Sequence, residues 1–177
     1  REVPLISADL ENAVSLFEGF EAIAFKDQRV YLSIEAREGL GMMGYLVSGQ
    51  VLGNLEQVQL ELDSLVKNPP QQDQSNRTDE AILIAGERVI TFFESNGTQA
   101  NPDAHASLFS LALEPEGEIE LPPVDYRLTD TTEMDADGRF WMMNYFFPGD
   151  TDLLPSIDPI REHFGAGATH SQYSFVE

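Results

Sequence analysis

The chain has 177 residues, 42 % of them hydrophobic and 10 % aromatic, which is enough for one domain with a real core and too apolar for a disordered segment. Ten Lys and Arg stand against 31 Asp and Glu, a formal net charge of −21 that repels nucleic-acid phosphates and anionic membranes and favours cations, calcium above all. There is no cysteine, so disulfides and thiolate metal sites are excluded, and no apolar run reaches membrane-spanning length.

In chain order, "REVPLISADL" opens without a methionine and "DLENAVSLF" reads as a short helix or an outer strand. "EAIAF" and "RVYLSIE" follow as β-branched and aromatic runs around the polar turn "KDQ". A third strand is expected over Met42–Val51 and a fourth over Val58–Leu62. "KNPPQQDQSNRTD" (Lys67–Asp79) is a polar loop whose proline pair stops both flanking strands. The pattern then recurs: "EAILI" and "RVITFFE" flank "AGE", with further strands at His105–Leu113 and Glu118–Pro122. "TEMD" and "RFWMMNYFF" flank "ADG", where Gly138 suits a tight turn. A short helix in "SIDPIREHF" and a closing strand in "SQYSFVE" complete the series, and both ends read as cut from something larger.

The recurrence is an internal repeat. An offset of 59 residues brings Glu21, Ala22, Ile23, Arg29, Val30 and Glu35 onto Glu80, Ala81, Ile82, Arg88, Val89 and Glu94, without a gap from 21 to 37. A further 51 residues bring Arg88 onto Arg139 in a weaker copy, where Thr131 replaces the first glutamate and Tyr145 the second. Units of strands at this period point to propeller blades of four antiparallel strands. The expected fold is therefore all-β: one β-propeller fragment over 1–177, about two and a half blades near 20–66, 79–123 and 126–177. The missing blades would come from the rest of a longer chain or from another chain.

The start of a blade's first strand and the end of its second share one rim. With the turn near Asp27–Gln28, Glu21 is expected opposite Ile34 and beside Glu35, and Glu80 beside Glu94, with Asp130, Glu133 and Asn144 nearby. Clustered carboxylates raise one another's pKa unless a cation joins them, so this mouth is a candidate calcium site built from Glu21, Glu80, Glu94, Glu133 and Asn144. Equally, such acids can satisfy backbone amides of neighbouring blades. Arg29, Arg88 and Arg139 fall at the opposite rim and read as structural ion pairs; Phe140, Trp141, Phe146 and Phe147 read as blade core. Tyr145 and His170, the latter in a Gly-rich loop, are candidates for contact with a ligand at the mouth.

"GFEAIAFKDQRVYLSIEAR" resembles the phytase-like (esterase-like) β-propellers, in which a first strand of the form glycine-apolar-glutamate-glycine/alanine-isoleucine-alanine precedes a second strand ending in glutamate. "LTDTTEMDADGRFWMMNYF" is similar to another blade of that type, and gluconolactonase-like and strictosidine-synthase-like propellers share the manner. The resemblance implies a divalent metal held by a glutamate early in a first strand; Glu21 is the nearest match and Glu80 a second, with Ala22 where glycine is usual. Two functions are expected on this reading. One is a calcium-assisted hydrolase of a small ester, lactone or phosphoester, with Glu21 or Glu35 as general base. The other is a non-catalytic propeller module for a protein or carbohydrate partner, in either case secreted or periplasmic and soluble.

Overall fold

A computed structural model describes residues 2–7, 9–147, 150, 162–163, 165 and 175–176. The protein is all-β, its strands forming a strongly curled, half-barrel framework. In the first sheet β1 (Leu5–Ile6) runs parallel to β5 (Gln57–Asn68), followed by β4 (Gly41–Leu52), β3 (Arg29–Glu38) and β2 (Phe17–Lys26). The second sheet is the antiparallel meander β6 (Asp79–Ala85), β7 (Arg88–Phe93), β8 (His105–Ser110) and β9 (Pro115–Glu120). The third holds β10 (Arg127–Thr131), β11 (Met142–Phe146) and β12 (Phe175–Val176). One helical turn, α1 (Leu10–Ala13), stands where the early helix was expected. The late one falls outside the described residues apart from Glu162 and His163. Among the described residues no helix is long and apolar enough to cross a membrane.

The first strands β2, β6 and β10 lie side by side, so the sheets meet along them. Alternation along each second strand then feeds two interfaces at once. On β3, Val30, Leu32, Ile34 and Ala36 pack with Leu10 and Val14 of the α1 segment, while Tyr31 faces the second sheet. There Tyr31 and Leu46 meet Ile82, Val89, Phe109 and Leu113. On β7, Ile90 and Phe92 turn the other way, toward Phe140, Met134 and Met142. Each apolar side chain fully buried in these layers contributes about 1.5–3 kcal/mol.

The hairpins close as the turn residues demand. Asp27 and Gly86 adopt left-handed φ of 53° and 60° in two-residue turns, and Gly138 has φ 78° in the third. The third hairpin is two residues longer between equivalent ladder positions, with Asp130 opposite Met143 where Ala81 is opposite Phe92. Two aromatic assignments change. Phe140 packs near Phe92 at 6.0 Å between ring centroids, but Trp141 is 82 % exposed and Phe147 45 % exposed. Phe140 and Met142 point to the second sheet, so alternation turns Trp141 and Met143 to the opposite face of the third. The side chain of Phe146 lies outside the described residues.

Candidate functional site at the bulged rim

Every first strand carries a β-bulge at the same place. Gly19 pairs with Glu35, Phe20 with Ile34 and Ala22 with Ser33, leaving Glu21 as the extra residue. Asp79 pairs with Phe93 and Ala81 with Phe92, leaving Glu80. Leu128 pairs with Asn144 and Asp130 with Met143, leaving Thr129. The ladder thus corrects two expectations: Phe20, not Glu21, is opposite Ile34, and Thr129, not Thr131, stands in the place of Glu80. A bulged residue leaves the strict alternation of its strand and re-aims its side chain.

Around the bulges, each second-strand acid meets a donor from the next sheet. Thr78 Oγ1 donates to Glu35 Oε2 at 3.3 Å, and Arg127 Nη1 donates to Glu94 Oε2 at 2.8 Å. Thr78 and Arg127 hold the same place in their sheets, one residue before Asp79 and Leu128. Arg127 also grips Asp150, Nε to Oδ2 at 2.7 Å and Nη2 to Oδ1 at 3.0 Å, and lies 4.0 Å from Glu80 Oε1. Arg77 Nη2 donates to Asp150 Oδ1 at 2.7 Å and its Nη1 to Ser95 Oγ at 2.5 Å. Below them Asn68 Nδ2 donates to Asp79 Oδ2 at 2.8 Å, and Thr91 Oγ1 donates to the same oxygen.

The electrostatics separate the four rim glutamates into two kinds. Burial, then the Glu80 carboxylate, push the Glu94 carboxyl up to about 9, against the pull of Arg127. Glu80 is raised by burial, while its contact with Glu94 and the Arg127 and Arg77 charges oppose the rise. These two adjoining acids answer to arginine. Burial, then the charge of Glu21, push Glu35 up to about 7, with only the Thr78 hydroxyl opposing. Glu21 itself is raised by burial, Glu80 and Glu18. Glu21 and Glu35 therefore form an acid pair that no described cation reaches.

The remaining expected residues spread out. Asn144 sits at this rim, but its amide nitrogen donates to the Asp125 and Arg127 carbonyls. Tyr145, half-buried, pairs with Arg127 in the ladder. Glu133 is exposed and follows β10 toward its turn, at the far end from Glu21 and Glu80. His170 lies outside the described residues. Arg29, Arg88 and Arg139 pair with Glu61 at 2.8 Å, Glu116 at 2.8 Å and Asp137 at 3.5 Å.

Among the described residues no group of three or more His, Asp or Glu is arranged to hold a metal. Calcium takes roughly six to eight oxygens. Arg127 stands against Glu80 and Glu94, and Glu21 with Glu35 and Thr78 supply too few donors, so a calcium ion would need oxygens from outside this set.

Sequence reasoning missed Arg77, Thr78, Arg127 and Asp150. A signal existed for the arginines: among only ten basic residues, both stand within three positions of a first-strand bulge. No protein-family model matches the chain, and no curated protein sequence matches it.

Proposed function

We propose that the three sheets are neighbouring blades of a β-propeller-type array and that the bulged rim performs acid–base hydrolysis of a small ester, lactone or phosphoester. Three features support the array: the meander order within each sheet, the adjacent first strands, and a bulge at the same place in each. The observation that carries the chemistry is the contrast between the pairs. Glu80 and Glu94 are answered by Arg127, whereas Glu35 is held near 7 beside Glu21. A carboxylate of that basicity takes a proton from an attacking water at neutral pH and returns it to the leaving oxygen, a contribution of about 10²–10⁴ in rate. Glu21 keeps its neighbour basic and Thr78 orients it. The calcium that the family resemblance implies would sit at Glu21, with its remaining ligands supplied by other blades, and Glu35 would stay free of it as the base.

The test is hydrolysis of aryl ester, lactone and phosphomonoester substrates across pH, with and without added calcium. The expected profile rises through about pH 7, and Glu35→Gln removes the turnover while leaving the melting temperature at neutral pH near that of the parent. Absence of turnover on all three classes, or a profile unchanged in Glu35→Gln, overturns the reading. A second reading, a binding module without chemistry, is favoured by the exposed Phe147, whose ring lies under Arg127 at 5.4 Å from its centroid. Rim aromatics beside an arginine suit a carbohydrate or peptide, and such binding would survive Glu35→Gln.

A further inference from the structure

On β2 and β11 the two ends of the three-sheet stack expose what its interior buries, whereas the back of β3 (Val30, Leu32, Ile34) is buried under the α1 segment. On the back of the first strands, Phe20, Asp79 and Leu128 hold one place. Asp79 and Leu128 are 5 % and 3 % exposed, Phe20 37 %. Two steps past the bulge, Ile82 is 5 % exposed against the first sheet, while its counterpart Ile23 is 55 % exposed and Phe25, counterpart of the half-buried Ile84, 43 %. On the forward side of the second strands the pattern reverses. Tyr31 and Ile90, 1 % and 8 % exposed, correspond to Trp141 at 82 %. Ser33 and Phe92, 2 % and 3 % exposed, correspond to Met143 at 44 %.

The exposed strip of β2 and the exposed face of β11 therefore match the first-strand part of an interface that occurs between consecutive sheets of the chain, the later-strand part of the first sheet being covered by α1. The α1 segment covers β3, β4 and β5 of the first sheet and leaves free only the strip of β2, the strand along which neighbouring sheets approach each other. The rim position fits as well. Glu35 meets Thr78 and Glu94 meets Arg127; at the open junction the corresponding pair is Tyr145 and Gly19, a large ring against a residue without a side chain. Resting on the stacked-blade reading above but not on its chemistry, we infer that a second copy of this chain is the occupant. The Trp141–Met143 face of each protomer seats on the Ile23–Phe25 strip of the other. Two such junctions related by a two-fold axis close the array at six sheets, within the roughly four to eight of closed propellers, and leave neither face open.

The absence of cysteine makes the test clean. Sedimentation equilibrium should give twice the chain mass of 19.7 kDa. Ile23→Cys with Trp141→Cys should cross-link between protomers through a short bis-maleimide, whereas either cysteine alone should not link to itself. Ile23→Arg combined with Phe25→Arg, and separately Trp141→Glu, should each weaken dimerisation at least tenfold. Mixing those two variants should restore dimers, because one intact junction remains, and a folding defect would show no such rescue. A wild-type chain that sediments as a monomer at all concentrations overturns the inference. So does self-linking through Ile23→Cys alone, or failure of the mixed variants to pair. Hydrolysis does not enter any of these readouts, so loss of the catalytic reading would leave them intact.

Discussion

At the scale of single residues, Arg127 is the side chain on which the rim depends most. It is one guanidinium facing three carboxylates, two of them on the second sheet and one at Asp150. Its hydrogen bonds to Asp150, then the Glu94 and Glu80 charges, hold its own pKa above the ordinary arginine range. Arg127→Met removes the donor to Glu94 and leaves Asp150 to Arg77 alone, and should cost about 1–3 kcal/mol, read by urea unfolding. Arg127→Lys should recover part of this, since an ammonium cannot grip Asp150 through two nitrogens at once. The glutamates add a pH dependence of definite sign. Glu35 and Glu94 have ordinary values of 4.5 and stand at about 7 and about 9 in the folded chain, so the native state binds more protons between those limits. Their contribution is complete below about 4.5 and disappears as pH rises through about 7 and then about 9. Melting temperature should fall from pH 5.5 to 9.5, and Glu94→Gln should flatten the upper half of that fall. An unchanged slope in Glu94→Gln would show that the proton resides elsewhere.

At the scale of elements, the first two hairpins and their turns are legible because apolar alternation and turn chemistry are local; in the third, the polar "TEMD" reads as a first strand, whereas that strand is β10 (Arg127–Thr131) and 132–135 lie outside it. The four-stranded meander of the second sheet follows from the repeat; the parallel β1 added beside β5 in the first sheet does not. The bulges were not legible, since an extra residue in one strand leaves the residue types on both sides unchanged. That is why the sequence pattern alone sets Glu21 opposite Ile34 and Thr131 in the position of Thr129. Arg127 escaped for a different reason: its partners are remote in sequence, and it precedes the third copy rather than recurring in all three. Trp141 reads as core because it matches Tyr31 and Ile90 in register, and the pattern does not tell whether a following sheet covers it. Glycine makes a further prediction at this level. A Cβ on Gly49 would fall 2.4 Å from the Gln59 carbonyl oxygen and 2.9 Å from Leu60 Cα, where β4 and β5 approach closely. Gly49→Ala should therefore destabilise by about 1–3 kcal/mol, and Gly41→Ala, with open space around it, by much less. Equal melting temperatures for the two would show that β5 shifts without cost.

At the scale of the whole molecule, charge works against compactness. A net charge of −21 on 177 residues sets the carboxylates repelling one another across the surface. Moderate salt should raise the melting temperature by several degrees, because screening relieves that repulsion more than it weakens exposed ion pairs such as Arg37–Glu18 and Lys67–Glu38. A lower melting temperature in salt would mean that these pairs matter more than the field. The class of fold was readable at this scale from the repeat alone. How the sheets are joined was not, because the Lys26–Gly86 and Tyr31–Leu111 links end on backbone carbonyls that no side-chain pattern announces. The bulges carry one more consequence. Glu21, Glu80 and Thr129 stand outside the alternation that packs the walls, so what they carry is set by their neighbours at the rim rather than by the core beneath them. Duplication of such a unit copies the scaffold together with a position at the rim that answers to the site and not to the core. The substitution already seen at Thr129 is what that independence of the core permits, and it makes these three positions natural places to install new chemistry.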